Sequence, residues 1–119
     1  MIFKNLAARG ALALGLLAVA PAVAAEHVRA SWYGGAGEKL NAHAADGSRF
    51  NPRAMTCAHR SLPFGTRLRV AWRGRSVVVR VSDRGPARKT GRALDLSRGA
   101  ADALGLTRAG VGTVKIERL

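Results

Sequence analysis

Two side chains suited to proton transfer stand at the ends of hydrophobic runs. Asp83 closes the run Val77-Val78-Val79-Arg80-Val81-Ser82 and opens Asp83-Arg84-Gly85-Pro86, and His59 follows Met55-Thr56-Cys57-Ala58 and precedes Arg60-Ser61-Leu62-Pro63. A carboxyl group can give a proton to a leaving oxygen and take one back when its pKa sits near the working pH. A histidine after a strand is either a functional group that titrates near neutrality or a plain turn residue. The end of a strand would hold Asp83 rigidly, as a catalytic group requires. An aspartate that opens a turn before Gly-Pro also accepts backbone hydrogen bonds, so both roles stay open. Arg84 is its adjacent electrostatic or structural partner. The segment Ala44-Ala45-Asp46-Gly47-Ser48-Arg49-Phe50 adds Asp46 and Ser48, on a loop that could face a substrate. Asp46 reads either as a groove carboxylate or as the first residue of an Asp-Gly turn.

Other chemistries fit poorly. His27, His43 and His59 are spaced 16 apart, with no short ligand pair and no His-Glu-x-x-His, so no metal site is expected. Asp-Gly-Ser-Arg-Phe around Ser48 is not a nucleophile elbow. Gly34-Gly35-Ala36-Gly37 lacks the Lys-Ser/Thr ending of a phosphate loop. Cys57 is the one cysteine, so no intramolecular disulfide can form; its neighbours Met55, Thr56 and Ala58 mark it as a small core residue, with a thiol nucleophile as the lesser reading. No cofactor is implied by any cluster.

The elements that must position these groups are mostly strands. Residues 28–33 alternate as a half-buried strand, and residues 55–58, 67–72, 76–82, 93–96 and 111–116 supply five more, with Arg73-Gly74-Arg75 as a tight hairpin connection. The continuous apolar character of Val77 to Val81 predicts a strand buried on both faces. Ser97 caps a short helix over 98–104, and Gly105 ends it. Trp32 and Tyr33 are adjacent in a strand and point to opposite sides; Tyr33 is expected in a groove and Trp32 in the core. The reading is all-β, a small six-stranded barrel with one short helix, in which closure removes exposed edges; an open sheet-and-helix domain is the alternative.

Residues 1–25 have the parts of a secretory signal: Lys4 and Arg9, an apolar run from Ala11 to Ala20, then Ala22-Val23-Ala24-Ala25 with cleavage expected near Ala24 or Ala25. The run is shorter than the roughly 20 residues that span a bilayer, and no cysteine follows for lipidation, so no stable membrane anchor is expected. Removing 25 of the 119 residues leaves 94, residues 26–119, enough for one domain. Two of the 20 basic residues lie in the leader, leaving 18 against 7 acidic ones, a net +11 where the whole chain carries +13. In the cytoplasm that excess would suggest nucleic acid. Export, and basic residues scattered without stacking aromatics, point instead to an anionic cell envelope, with no nucleic acid partner.

Ala30-Ser31-Trp32-Tyr33-Gly34, Arg49-Phe50-Asn51, Ala58 to Thr66, Ser76 to Pro86 and Leu94-Asp95-Leu96-Ser97 occur in one order between about Arg29 and Glu117. Together they resemble the RlpA (rare lipoprotein A) family, septal lytic transglycosylases whose domain is a double-psi β-barrel related to the expansins. The resemblance implies an exported, periplasmic or secreted, enzyme of one barrel, expected to be monomeric. It would cut peptidoglycan between N-acetylmuramic acid and N-acetylglucosamine to leave 1,6-anhydro ends. It also implies Asp83 as acid and base, His59 as its partner, and Tyr33, Ser48, Asp46 and Arg84 around the glycan. Relatives commonly read Thr-Ala-Ser/Asn-Gly-Glu-x-Phe where this chain has Ala44 to Phe50, so Ser48 stands in place of a glutamate implicated in catalysis. Asp46 or Glu38 would have to replace it, or Asp83 would act alone. A non-catalytic, expansin-like glycan-binding or wall-loosening module is the alternative.

Overall fold

The computed structural model describes residues 25–35 and 42–119. The expected leader, apart from its last residue, and Glu38 lie outside them. Among the described residues no helix is long and apolar enough to cross a membrane. Six strands form in chain order: β1 Glu26–Tyr33, β2 Thr56–His59, β3 Arg67–Trp72, β4 Arg75–Asp83, β5 Leu94–Ser97 and β6 Gly112–Arg118. A 3₁₀ turn, Arg88–Thr90, interrupts the loop before β5, and helix α1, Arg98–Leu104, follows it.

The strands close on themselves in the order β1-β5-β2-β4-β3-β6, with β6 returning to β1. Two pairings are parallel, β1 with β5 and β2 with β4, and the rest antiparallel. Parallel neighbours need long crossovers, so each parallel pair joins strands distant in sequence. The one tight connection is the β3-β4 hairpin, where Arg73 at φ 48° and Gly74 at φ 82° make the left-handed pair a two-residue hairpin prefers. The Arg73 guanidinium lies 4.4 Å above the Trp72 ring.

The barrel interior is filled by Ala30, Cys57, Leu68, Val70, Val79, Val81, Leu94, Leu96, Val114 and Ile116, each at most 5% exposed. Burying each Leu, Val or Ile stabilises by about 1.5–3 kcal/mol, and the free thiol of Cys57 packs among them as one more small apolar group. One expectation is corrected. β4 is not buried on both faces: Val79 and Val81 are buried, Val77 and Val78 are half-buried and Arg80 is exposed. A closed barrel is one sheet thick, so half of each strand faces outward whatever its composition. Trp32, in phase with Ala30, packs against the core and donates from Nε1 to Thr107 O at 3.1 Å.

Helix α1 starts and stops where its sequence says. Ser97 Oγ accepts from Ala100 N at 3.2 Å, and Gly105, at φ 78°, donates back to Ala101 and Asp102 carbonyls. The same Ser97 hydroxyl donates to Ala54 O at 2.6 Å, fixing the entry into β2 against the end of β5. Ala100, Ala101 and Leu104 bury the inner face of the helix against the barrel.

Candidate functional site

Strict alternation along β4 would send Asp83 into the barrel beside Val79 and Val81. A bulge prevents it. Thr56 pairs with Arg80, Cys57 with Val81, and then Ala58 with Asp83, so Ser82 is an extra residue on β4. Asp83 thereby stands in register with Ala58, which pairs on its other side with Asp95, which pairs in turn with Ser31. Ser31, Asp95, Ala58 and Asp83 form one row across four adjacent strands, out of phase with Ala30, Leu96, Cys57 and Val81 of the interior and so on the other face of the wall, where Ser31 and Ala58 are covered and the two aspartates are half-buried. Bulges re-aim side chains beside functional sites in this way.

Asp83 Oδ1 accepts from Ala45 N at 3.1 Å and Arg84 N at 3.0 Å, and no hydrogen bond to Oδ2 is made by the described residues. The backbone thus fixes one carboxyl oxygen and leaves the other open. The Ala45 donor belongs to the 42–50 loop, docked on the bulge by Asp46 N donating to Ser82 O at 3.1 Å.

Within that loop Asp46 makes the turn its sequence suggests. Its Oδ1 accepts from Ser48 N at 2.8 Å and Ser48 Oγ at 2.6 Å, and its Oδ2 meets Arg80 Nη1 at 3.0 Å. The Ser48 hydrogen bonds, with Arg80 in a lesser part, hold the Asp46 carboxyl below the usual carboxylate range. Asp46 is therefore a tethered carboxylate and not a proton donor. Ser48, Phe50, Thr56, Arg80 and Ser82 line a pocket of about 60 Å³.

Tyr33 lies one row along from Asp95, in register with Ser97. Its ring meets Phe50 at 5.6 Å between centroids with a 32° tilt, and its hydroxyl hydrogen-bonds the Thr56 side chain. Burial, opposed by that hydrogen bond and reinforced by Asp83 and Asp95 among other groups, pushes the phenol up to about 12. Tyr33 is thus a neutral, half-buried ring within electrostatic reach of both aspartates.

His59 is in register with the buried Leu94, out of phase with Ala58, and among the described residues no hydrogen bond joins it to Asp83. Its Nδ1 accepts from Ser61 N and Leu62 N, each at 3.1 Å, which puts the ring proton of the neutral form on Nε2. Burial first, then Arg60 and Arg84, lower its pKa against a smaller upward pull from Glu26. His59 is a neutral Nε2–H donor near pH 7. Arg84 is occupied: Nη1 donates to Leu62 O at 2.7 Å and His59 O at 3.2 Å, and its guanidinium covers Phe64 at 3.9 Å. It clamps the 59–64 turn to the start of the loop after Asp83. The Cys57 thiol, fully buried, is pushed up to about 12 chiefly by desolvation, which removes its nucleophilic form.

A sequence profile of the family described as "Lytic transglycolase" matches residues 25–116. Over 92 residues the chain is 56% identical to a protein of Nostoc sp. named probable endolytic peptidoglycan transglycosylase RlpA, and over 93 residues 41% identical to the endolytic peptidoglycan transglycosylase RlpA of Rickettsia bellii. Each alignment takes in 76% of this chain but only 24% and 40% of those two proteins, so the chain spans well under half of their length. Among solved structures, the Streptomyces papain inhibitor superposes with a TM-score of 0.65 at 18% identity, covering 83% of this chain and 97% of that one. Cerato-platanin 3 of M. perniciosa superposes at 0.54 with 15% identity, over 79% and 94%. Such low identities speak to the fold alone, and the fold is the double-psi β-barrel expected from the motifs.

Proposed function

Because this chain belongs to the RlpA family of lytic transglycosylase domains, we propose that it is an endolytic peptidoglycan lytic transglycosylase. It acts outside the cytoplasm and cuts between N-acetylmuramic acid and N-acetylglucosamine. The observation that carries the reading is the Ser82 bulge, which gives Asp83 an outward position with Oδ1 fixed and Oδ2 open. A proton on Oδ2 passes to the glycosidic oxygen as the anomeric bond breaks, and the muramyl 6-hydroxyl closes on the anomeric carbon in place of water. A glycosidase that uses water requires two carboxyl groups, whereas an internal attack dispenses with the one that activates water. Tyr33 and Phe50 offer a tilted aromatic wall to a sugar ring, and His59 contributes a neutral Nε2–H. The basic surface favours an anionic envelope, and the active species is a monomer.

A second reading has its own support. The family resemblance implies a glutamate where this chain has Ser48, and among the described residues of the loop the one carboxylate, Asp46, is tied to Ser48 and Arg80. A chain without an acid there could retain the groove and bind glycan without cutting it. The test is mass spectrometry of purified glycan strands after incubation with the full chain, exported and purified, beside Asp83→Asn. New 1,6-anhydromuramyl ends that vanish with Asp83→Asn support the enzyme. Glycan retention without such ends supports the binding module.

A further inference from the structure

A cleft of about 290 Å³, against about 60 Å³ for the pocket beside Ser48, opens between Gly34, Pro52, Arg53, Arg98, Gly99 and Asp102. None of the groups assigned to the reaction lies in it. Gly34 follows Tyr33, and Arg98 follows Ser97, the last register pair of the parallel strands β1 and β5. The cleft therefore begins where the Tyr33-Phe50 wall ends: a Cβ on Gly34 would stand 3.6 Å from Phe50 Cζ and 3.2 Å from Pro52 Cβ. Gly34 is three residues past Ser31, which shares the row of Asp83, so the cleft lies about 10 Å along the strands and about 14 Å across them from that aspartate. A glycan that meets Asp83 and follows the aromatic wall arrives at the cleft with a sugar further along.

The cleft is built and its charge is fixed. Asn51 Oδ1 accepts from Arg53 N at 2.9 Å, Gly99 N donates to Pro52 O at 2.8 Å, and a Cβ on Gly99 would stand only 2.5 Å from Arg53 O. Only glycine at position 99 lets the 51–54 turn sit so close to α1. Because the Gly99 N–H is spent on Pro52, the donors left to a ligand are side chains. The Arg98 guanidinium lies 5.1 Å from the Trp32 ring centroid, and its Nε donates to Asp102 Oδ1 at 3.2 Å. The Thr107 hydroxyl foremost, then Arg98 and the charge of Arg53, hold the Asp102 carboxyl below the usual carboxylate range against the cost of desolvation. Asp102 is thus an ionised anchor that sets the pose of Arg98. The Arg98 Nη donors and the Arg53 guanidinium make no hydrogen bond or ion pair among the described residues. Two guanidinium groups against one carboxylate leave the cleft positive.

We propose that this cleft is a subsite for a carboxylate borne on the muramyl side branch of the glycan. The inference rests on peptidoglycan being the ligand. Its ring hydroxyl and acetamido groups are neutral, so an acid on the strand sits on the lactyl ether of a peptide-free muramyl residue or on the stem peptide attached there. A guanidinium meets a carboxylate with two parallel hydrogen bonds, a match that a neutral branch lacks. Arg53 comes from the 51–54 turn and Arg98 from α1, so the acid bridges two segments already fastened to each other. At this distance from Asp83 the contact contributes to holding the strand and not to breaking the bond.

The test uses two glycan preparations, peptide-free and stem-bearing, each with its carboxylates free and converted to methylamides. Binding by calorimetry, kcat and KM for anhydro-end formation, and thermal melting are measured for wild type, Arg53→Gln, Arg98→Gln and Lys115→Gln, each as the full exported chain. Lys115 is exposed on β6, away from the cleft, and controls for loss of one charge. Wild type is expected to bind the acid form about tenfold or more tighter than the methylamide. Arg53→Gln and Arg98→Gln should each lose most of that ratio, through KM and not kcat, and Lys115→Gln should keep it. A ratio seen with peptide-free strands identifies the lactyl acid as the occupant, and one seen with stem-bearing strands identifies the stem acid. If wild type binds acid and methylamide equally, or neither folded arginine variant lowers the ratio, or Lys115→Gln lowers it as much, the subsite falls and the transglycosylase reading stands. If Arg98→Gln does not fold, Arg53→Gln decides, since its guanidinium has no bond to a described residue to lose. A wild type that neither binds nor cuts any strand overturns both.

Discussion

Position 48 offers the sharpest perturbation, because the family resemblance implies a glutamate there while this chain carries its loop carboxylate two residues earlier, at Asp46. Ser48→Glu removes the hydroxyl that donates to Asp46 Oδ1 at 2.6 Å while keeping the backbone donor at 2.8 Å. Losing that hydrogen bond costs about 1 kcal/mol. The new carboxylate lies about 5 Å from Asp46, and their repulsion in a water-like surround adds about 1 kcal/mol. The water-like value sets the lower bound, since the Asp46 side chain is 11% exposed where its Arg80 partner is 44% exposed. The sum of about 2 kcal/mol corresponds to a fall of about 10 °C in Tm for a domain of this size. Asp46→Asn combined with Ser48→Glu restores the commoner pattern, keeps a carbonyl acceptor for the backbone of residue 48, and removes the repulsion. The double variant should therefore melt about 5 °C above Ser48→Glu alone. In activity, a carboxyl delivered to the groove from this loop should raise anhydro-end formation about tenfold or more. The assays are differential scanning fluorimetry and mass spectrometry of glycan strands. A single variant as stable as wild type would refute the role assigned to the Ser48-Asp46 pair. A folded double variant with unchanged turnover would show that loop acidity does not limit the reaction.

Arg84→Ala should destabilise by about 1–2 kcal/mol through loss of two hydrogen bonds from a charged group and the contact with Phe64, and should speed proteolytic nicking in residues 60–65. Arg84→Lys should recover less than half of this, because an ammonium cannot grip Leu62 O and stack on Phe64 in the same pose; a loss of glycan affinity with unchanged melting would contradict the clamp. Cys57 should react with iodoacetamide at neutral pH only through global unfolding, about 10⁴-fold or more slower than in denaturant, and labelling at the rate of an exposed thiol would contradict its burial. Stability should fall with acid: His59, with its pKa depressed in the fold, contributes fully above its unfolded value of about 6.5 and loses that contribution as pH drops below it. Asp46, also depressed, adds a second loss as pH falls below about 4. His59→Asn, which can keep an acceptor for Ser61 N and Leu62 N, should flatten the first step in urea titrations at pH 7 and pH 5 and leave the second.

Local signals carried much of this structure. Ser97 and Gly105 bracket α1, Arg73-Gly74 turns the hairpin, and the six strands fall within a residue or two of where β-branched and alternating runs put them. These features depend on neighbours in the chain. The bulge does not: Ser82 is displaced because β4 must pair with β2 on one side and β3 on the other, and neither partner is visible in Val77 to Asp83. The occupation of Arg84 was hidden for the same reason, since its acceptors lie 22 and 25 residues away. Asp95 gave a faint sign, a carboxylate alternating between two leucines, but its alignment with Asp83 across Ala58 exists only once β5 is inserted between β1 and β2. The apolar run in β4 misled because composition reports how much a strand can bury and the barrel wall decides how much it does.

The row of Ser31, Asp95, Ala58 and Asp83 is contiguous in space and scattered over 65 positions of the chain, from the first strand to the fifth. Its members become neighbours through the two parallel pairings and the strand between them, which are long-range contacts and form slowly. No fragment that stops before β5 contains the row. The candidate site is therefore a product of the finished barrel, and whatever chemistry it performs is absent from every shorter intermediate.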